Sequence, residues 1–316
     1  MSELRTHSLR HNSAIGDPNI EMYADGSTSI RNLAVPSINQ GAIGGLRNQL
    51  INGEFSTWAR GASGMIAAGQ RYSADRWWCS TNVTDADRGD SAFDGFTHQV
   101  EVTTDGAASI RQGIELEEVG DMGRFAPGTS WTLSFYCSTS NVTAGAAFTE
   151  RINAFGSGDI ILAENTAVTS LGNDRYSVQI DIPTDQTINA NREMFTVTIA
   201  IGAAGSFNLT GVQLEQGETV SEFERIPVAL TRQMCQRYFV NCGRIFAYIY
   251  RSPDTTRIIS REISMRTTPT SNITGVNGGP FSNGTSISSR FWYATSTAAD
   301  ANSGAYATVT LNADFV

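Results

Sequence analysis

Apolar and polar residues alternate with period two in three well-separated runs. Trp131, Leu133, Phe135 and Cys137 alternate with Thr132, Ser134 and Tyr136. Tyr176, Val178, Ile180 and Ile182 repeat the pattern, as do Phe195, Val197, Ile199 and Ile201 against Thr196 and Thr198. Such alternation predicts antiparallel strands with one face in a core and the other toward solvent. Ile110, Ile114 and Leu116 predict a further strand after the Asp105-Gly106 turn. Pro127-Gly128, Gly172-Asn173-Asp174 and Pro183 punctuate the strands at the spacing of a sandwich. The fold class expected is therefore mainly β, with a two-sheet antiparallel jelly roll over residues 48–225.

The pattern changes within Leu209–Tyr238. Phe207–Leu209 and Val212–Leu214 read as a closing strand, with Gly211 where a bulge fits. Gln216-Gly217-Glu218 is a turn signal, and Phe223 is a lone apolar anchor in a charged run. Pro227 suits the first turn of a helix, whose apolar face would carry Leu230, Met234 and Tyr238. A linking helix is expected over 226–243, followed by a smaller β domain over 244–316. There Ile245, Ala247 and Ile249 alternate with Phe246, Tyr248 and Tyr250, so both strand faces are apolar. Strand-like runs follow at Thr256–Ile263, Ser286–Tyr293 and Ala305–Leu311. A small module with two apolar faces buries them by oligomerising. Residues 1–47 lack sustained periodicity and read as a segment ordered by a partner or not at all.

Composition narrows the function classes. The chain has 316 residues and a net charge of −9, without the clustered basic residues that phosphate binding needs, so nucleic acid is not expected as a partner. No run approaches the roughly 20 apolar residues of a membrane span, and the N-terminus has no apolar signal core. Folding in a cytoplasm is expected. The four cysteines, Cys79, Cys137, Cys235 and Cys242, form no Cys-x-x-Cys pair and read as buried thiols, with a Cys235–Cys242 bridge as the alternative.

Two segments flanking the sandwich carry a resemblance. NQLINGEFSTWARGASG (Asn48 to Gly64) with YSADRWW (Tyr72 to Trp78), and GVQLEQGETVSEFERIPVALTRQMCQRYF (Gly211 to Phe239), resemble segments of phage tail-fibre and related virion proteins. MRTTPT (Met265 to Thr270) is a third, shorter match in the same order. Gln49, Ala59 and Phe239 depart from the pattern without touching chemistry. The chain also looks like carbohydrate-binding jelly rolls in which an NGxFE-type first strand lies near a GVQLE-type last strand. The resemblance implies a virion fibre or spike, assembled in the host cytoplasm. It implies attachment through residues 1–47 to other virion proteins, a homotrimer through the C-terminal region, and a host cell-surface polysaccharide as receptor. It also implies a structural calcium near the first and last strands, with Glu54 and Glu215 as its carboxylates.

No catalytic constellation emerges. Of the three histidines, His7 and His11 fall in the N-terminal segment, and His98 has no nucleophile elbow to serve. Glu115, Glu117, Glu118 and Asp121, and the group Asp85, Asp87, Asp90 and Asp94, are the carboxylates an acid–base enzyme would draw on; solvated loop and edge charge is the plainer reading. Asp85–Asp90 resembles a calcium loop but misses the EF-hand spacing. With no signal peptide, five Asn-x-Ser/Thr triplets carry no glycosylation reading. Sugars stack on exposed aromatic rings, which singles out Trp292, Tyr293, Tyr248 and Tyr250 as glycan contacts, or else as packing of the oligomer interface. Trp131 belongs in the core, and one of Trp77 and Trp78 should face outward. The reading is a non-catalytic adhesin. A purely architectural decoration or adaptor, and a polysaccharide-degrading enzyme, stay open beside it.

Overall fold

The computed structural model describes residues 46–63, 66, 71–116, 121–150, 152, 159–188, 191–249 and 265, together with strand segments at 8–9, 20–22, 28–30, 255–259, 270–277, 281–286, 292–297 and 303–312. Beyond residue 241, side chains are described only at Met265 and Leu311. The chain divides into two compact units, Met1–Gly45 and Leu46–Val316.

The first unit holds β1 (Ser8–Leu9), β2 (Ile20–Met22) and β3 (Thr28–Ile30), paired antiparallel in that order. The segment read as having no structure of its own thus contains a short three-stranded meander.

The second unit begins with β4 (Trp78–Cys79), β5 (Val83–Asp90), β6 (His98–Thr104), β7 (Ala108–Glu115), β8 (Ser130–Cys137) and β9 (Val142–Thr149). It continues with β10 (Ile160–Ala167), β11 (Thr169–Gly172), β12 (Arg175–Asp181), β13 (Met194–Ile201) and β14 (Gly205–Gln216). These strands make an antiparallel two-sheet sandwich: a five-stranded sheet in the order β10-β9-β13-β7-β4 and a six-stranded sheet in the order β11-β12-β8-β14-β6-β5. The expected core faces meet inside it. Trp131, Leu133, Phe135, Cys137, Val178, Ile180, Phe195, Val197 and Ile199 are all buried. Phe125 stacks on Phe195 with centroids 4.1 Å apart and planes 5° apart. Each such side chain contributes roughly 1.5–3 kcal/mol by leaving water.

Four details depart from the expected pattern. Thr196 and Thr198, read as solvent-facing, are buried, because the outer face of the five-stranded sheet is itself covered. Trp77 and Trp78 do point to opposite sides, yet both are buried: Trp77 in the sandwich core, Trp78 in a second cluster with Tyr72, Ile152, Met194 and Tyr238. Asp85–Asp90, which resembles a calcium loop, is not a loop: Asp85, Asp87 and Asp90 lie on the edge strand β5, in keeping with the edge-charge reading. Charge on an edge strand blocks pairing with other chains. Finally, helix α1 (Val228–Gln236) buries Thr231 and Cys235, while Leu230 is 38% and Val228 47% exposed. The helix is rotated from the expected face because Tyr238 and Phe239, just beyond it, dock onto Arg76 and Arg60.

The chain ends in β15 (Phe239–Ile249), β16 (Thr255–Ile259), β17 (Thr270–Asn277), β18 (Phe281–Ser286), β19 (Trp292–Thr297) and β20 (Ser303–Asn312). They form two three-stranded sheets, β15-β20-β17 and β16-β19-β18. The run Ser286–Tyr293, read as one strand, is the end of β18 and the start of β19.

Candidate functional site

The segments that carry the resemblance meet around strand β14. Its Gly211 has φ +58°, and the register of β14 against β8 slips between Thr210 and Gln213, so the expected bulge is present. A Cβ at Gly211 would lie 2.6 Å from Phe96 and 2.8 Å from Tyr136. The bulge frees backbone groups that the Asn48–Gly53 turn takes up. Val212 N–H donates to the Gly53 carbonyl at 2.9 Å, and Gln49 N–H to the Leu214 carbonyl at 2.9 Å. Asn48 donates through Nδ2 to the Val212 carbonyl (3.1 Å), and its Oδ1 accepts from the N–H groups of Leu50 (3.0 Å) and Leu214 (3.1 Å). A side chain on Gly53 would fall on the Val212 carbonyl oxygen.

Asn52 ties this turn to the Tyr72–Trp78 segment. It has φ +61°, a conformation Asn tolerates. Its Nδ2 donates to the carbonyls of Thr57 and Asp75, each at 3.0 Å, and its own carbonyl accepts from Trp77 Nε1 at 2.9 Å. Asp75 accepts from Ala59 N–H at 3.0 Å and pairs with Arg60 at 3.4 Å, both side chains buried. The Arg60 guanidinium lies 3.8 Å from the Phe239 centroid and 4.8 Å from that of Tyr72.

After β14, residues 217–226 run on as a strap. Glu215 is its anchor: buried, it accepts from Ser221 N–H (2.9 Å), Ser221 Oγ–H and Gln213 Nε2 (2.9 Å), with Arg47 Nε at 3.9 Å. Glu224 accepts from Asn48 N–H at 2.7 Å. Phe223 packs edge-on against Phe96, which also meets Tyr136. Arg225 donates to Glu54 at 2.8 Å and to the Gly95 carbonyl, its guanidinium over Phe96. Asn48, Glu54, Ser56, Phe223, Glu224 and Thr231 line a shallow depression between the turn and the strap.

The two carboxylates assigned to calcium are each engaged by protein donors: Glu54 by Arg225, Glu215 by Ser221 and Gln213. Among the described residues, no group of three or more His, Cys, Asp and Glu side chains is placed to hold a metal ion. The glycan candidates divide between sheets: Tyr248 lies on β15, Trp292 and Tyr293 on β19, with Tyr293 registered to Ile259 and Thr285. Their side chains, and Tyr250 altogether, lie outside the described residues.

The other singled-out groups have local roles. His98 faces Arg88 Nη2 at 3.2 Å across β5 and β6. Glu115 pairs with Arg237 at 2.8 Å, and Asp121 accepts from Gly123 N–H at 3.0 Å. Glu117 and Glu118 lie outside the described residues. Cys79 and Cys137 are buried free thiols, burial pushing the pKa of each up to about 11. Cys235 is buried too, and the side chain of Cys242 lies outside the described residues. No described helix is long and apolar enough to cross a membrane.

No family model and no curated protein matches the chain. Among solved structures, the enzymatically active domain of tailspike protein 4 from bacteriophage CBA120 is similar at 16% identity and a TM-score of 0.33, over 54% of this chain and 21% of that one. The chain thus corresponds to about a fifth of that tailspike structure. The CBM22-1 xylan-binding domain of Paenibacillus barcinonensis Xyn10C is similar at 8% identity and a TM-score of 0.33, over 58% and 100% of the two chains. TmCBM61, solved with β-1,4-galactotriose, is similar at 15% identity and a TM-score of 0.29, over 54% and 99%.

Proposed function

We propose that the chain is a fibre or spike component of a phage or phage-like particle. In this reading it attaches to a polysaccharide of the host surface without cleaving it. One observation carries the proposal. The segments that resemble virion fibre proteins, far apart in sequence, interlock through Asn48, Asn52, Asp75 and Val212. A chance set of short matches would have no reason to meet in space. The motif residues thus act as one architectural unit, which supports reading the resemblance as shared construction.

Residues 1–47 are proposed to join other virion proteins, residues 244–316 to trimerise, and Trp292, Tyr293, Tyr248 and Tyr250 to contact glycan. The deciding experiment incubates the purified chain with host cells and extracted surface polysaccharide, following binding and polymer length in the same tube. Saturable binding at constant length is expected. Shortening of the polymer would replace the adhesin with an enzyme.

An architectural adaptor is the second reading, favoured by a specific fact: the matched residues Asn48, Asn52, Asp75 and Glu215 are buried, so the shared motif marks a scaffold and not a receptor site. Absence of cell binding, with incorporation into particles that requires residues 1–47, would establish it.

A further inference from the structure

Strand pairing in the C-terminal part sorts residues by chemistry in a way that alternation along β15 alone does not. Phe246 stands opposite Tyr306, Tyr248 opposite Gly304, and Arg244 opposite Thr308, which also pairs with Thr274. Tyr306 is registered in turn to Asn277, and Thr310 to Asn241 and Asn272. One face of the β15-β20-β17 sheet is thus aromatic and polar. The other carries Ile245 opposite Ala307, Ala247 opposite Ala305, and Val309 opposite Ile273. The expectation of two alike apolar faces on β15 is thereby corrected: one is aliphatic, the other mixes rings with hydrogen-bonding groups.

The side chains described at the foot of this sheet divide the same way. Val240 and Leu311, registered to each other on the aliphatic face, are buried, whereas Asn241, on the other face, is exposed. Phe239, which begins that second face, is covered by Arg60, and the exposed Asn241 follows two residues later. A sheet of this kind packs its aliphatic face and leaves the polar one to water. Strand β15 is an edge strand, and Gly304 brings no side chain opposite Tyr248. The second sheet offers no such platform. Trp292 shares its face with Ile258, Ala294 and Phe281, and Tyr293 is the one ring among the paired residues of the opposite face. Charge adds a direction: residues 244–316 carry six arginines against four Asp and Glu residues, a net +2 in a chain whose total is −9.

We propose that the face carrying Arg244, Phe246, Tyr248 and Tyr306 binds an acidic polysaccharide, one with carboxylate groups on its sugars. Positions two residues apart on a strand stand about 7 Å from each other, and directly opposite positions about 5 Å. Three rings at that spacing form a platform for the C–H faces of successive sugars. Arg244, two residues before Phe246, supplies the forked donor that a carboxylate accepts in two hydrogen bonds. Threonine and asparagine on the same face answer the hydroxyl groups. A second copy meeting the chain through residues 244–316 would set like charge against like, so charge favours the polymer. The proposal rests on the glycan-attachment reading above, which it narrows to a class of ligand and extends to Arg244, Phe246 and Tyr306.

The test takes the full chain and three carboxylate-bearing polymers, polygalacturonate, hyaluronate and polysialic acid, beside neutral dextran and the extracted host polysaccharide. The polymer bound most tightly is then measured by calorimetry before and after its carboxyl groups are reduced to alcohols. Binding is expected to weaken about tenfold or more on reduction and to fall with rising salt. Arg244→Gln and Tyr248→Ala are each expected to weaken it about tenfold or more, the loss of one or two good contacts, while melting as the parent does. Equal binding of the intact and the reduced polymer, or a preference for dextran, would overturn the proposal and leave glycan attachment standing. Parent-like affinity in both variants would overturn it in the same way. Variants that lose affinity only together with oligomer mass in light scattering would make the face a subunit interface and overturn it too. No binding by the parent to any polysaccharide or to host cells would remove both this proposal and the reading beneath it.

Discussion

The Arg76 guanidinium lies flat over Tyr238, 3.4 Å from the ring centroid, and donates through Nη2 to the Gly113 carbonyl. This buried contact fastens the end of α1 to the outer face of the five-stranded sheet, and Arg76 adopts φ +76° to make it. A planar, forked cation can stack and donate at once, which an ammonium cannot. Arg76→Lys is therefore expected to destabilise the chain by about 2–3 kcal/mol, close to the effect of Arg76→Met, since it leaves the Gly113 carbonyl unpaired. Tyr238→Phe keeps the ring and should cost under about 1 kcal/mol. Urea denaturation of the variants checks both values; a Lys variant as stable as the parent would refute the stacking argument.

Gly53 admits no side chain. A Cβ there would fall on the Val212 carbonyl oxygen, which also accepts from Asn48 Nδ2. Gly53→Ala must push the turn off the β14 bulge, at a cost of about 3 kcal/mol or more. Asn48→Ala leaves the Val212 carbonyl and the Leu214 N–H buried without that partner, costing about 2–4 kcal/mol. Thermal melts of the two variants should both fall well below the parent.

How much of this was legible in the chain depends on how local the cause is. The strand of Trp131–Cys137 follows from alternation alone, and the bulge at Gly211 from the one residue that reaches φ +58° at no cost. Alternation also put Trp77 and Trp78 on opposite sides. It could not say that Tyr72, Ile152, Met194 and Tyr238 would cover the second side, because that cover comes from residues distant in sequence. For the same reason Thr196 and Thr198 read as a wet face. Of the face expected from Leu230, Met234 and Tyr238, Tyr238 is buried but lies beyond α1, whereas Leu230 is exposed, because docking of Tyr238 and Phe239 sets the helix rotation. Glu54 and Glu215 were singled out only by the likeness of their segments to a first and a last strand. The donors that meet them, Arg225 and Ser221, come from the strap and carry no spacing signal.

Those donors lead to a prediction about metal. With Glu215 held by Ser221 and Gln213, and Glu54 by Arg225, the protein itself balances both carboxylates. Prolonged dialysis against a chelator should leave the melting temperature unchanged, and added calcium should not raise it. Glu215→Gln, in contrast, turns an amide N–H toward donors and should destabilise by about 1.5–3 kcal/mol. A chelator-dependent drop in melting temperature would reinstate the calcium.

The buried thiols fix a limit at alkaline pH. Burial raises the pKa of Cys79 and of Cys137 from 9.0 to about 11. In the unfolded chain both thiols ionise near 9.0, so above that pH the unfolded state holds fewer protons than the folded one. Stability from this source is complete below about pH 9 and is lost as pH rises toward about 11. Replacing both residues with Ala should flatten the decline between those limits, although the cavities lower the overall stability. A thiol reagent should leave both groups unmodified in the folded chain at pH 8 and react with them once the chain is unfolded. Rapid labelling of the native protein would show that the sandwich opens far more readily than its packed core implies.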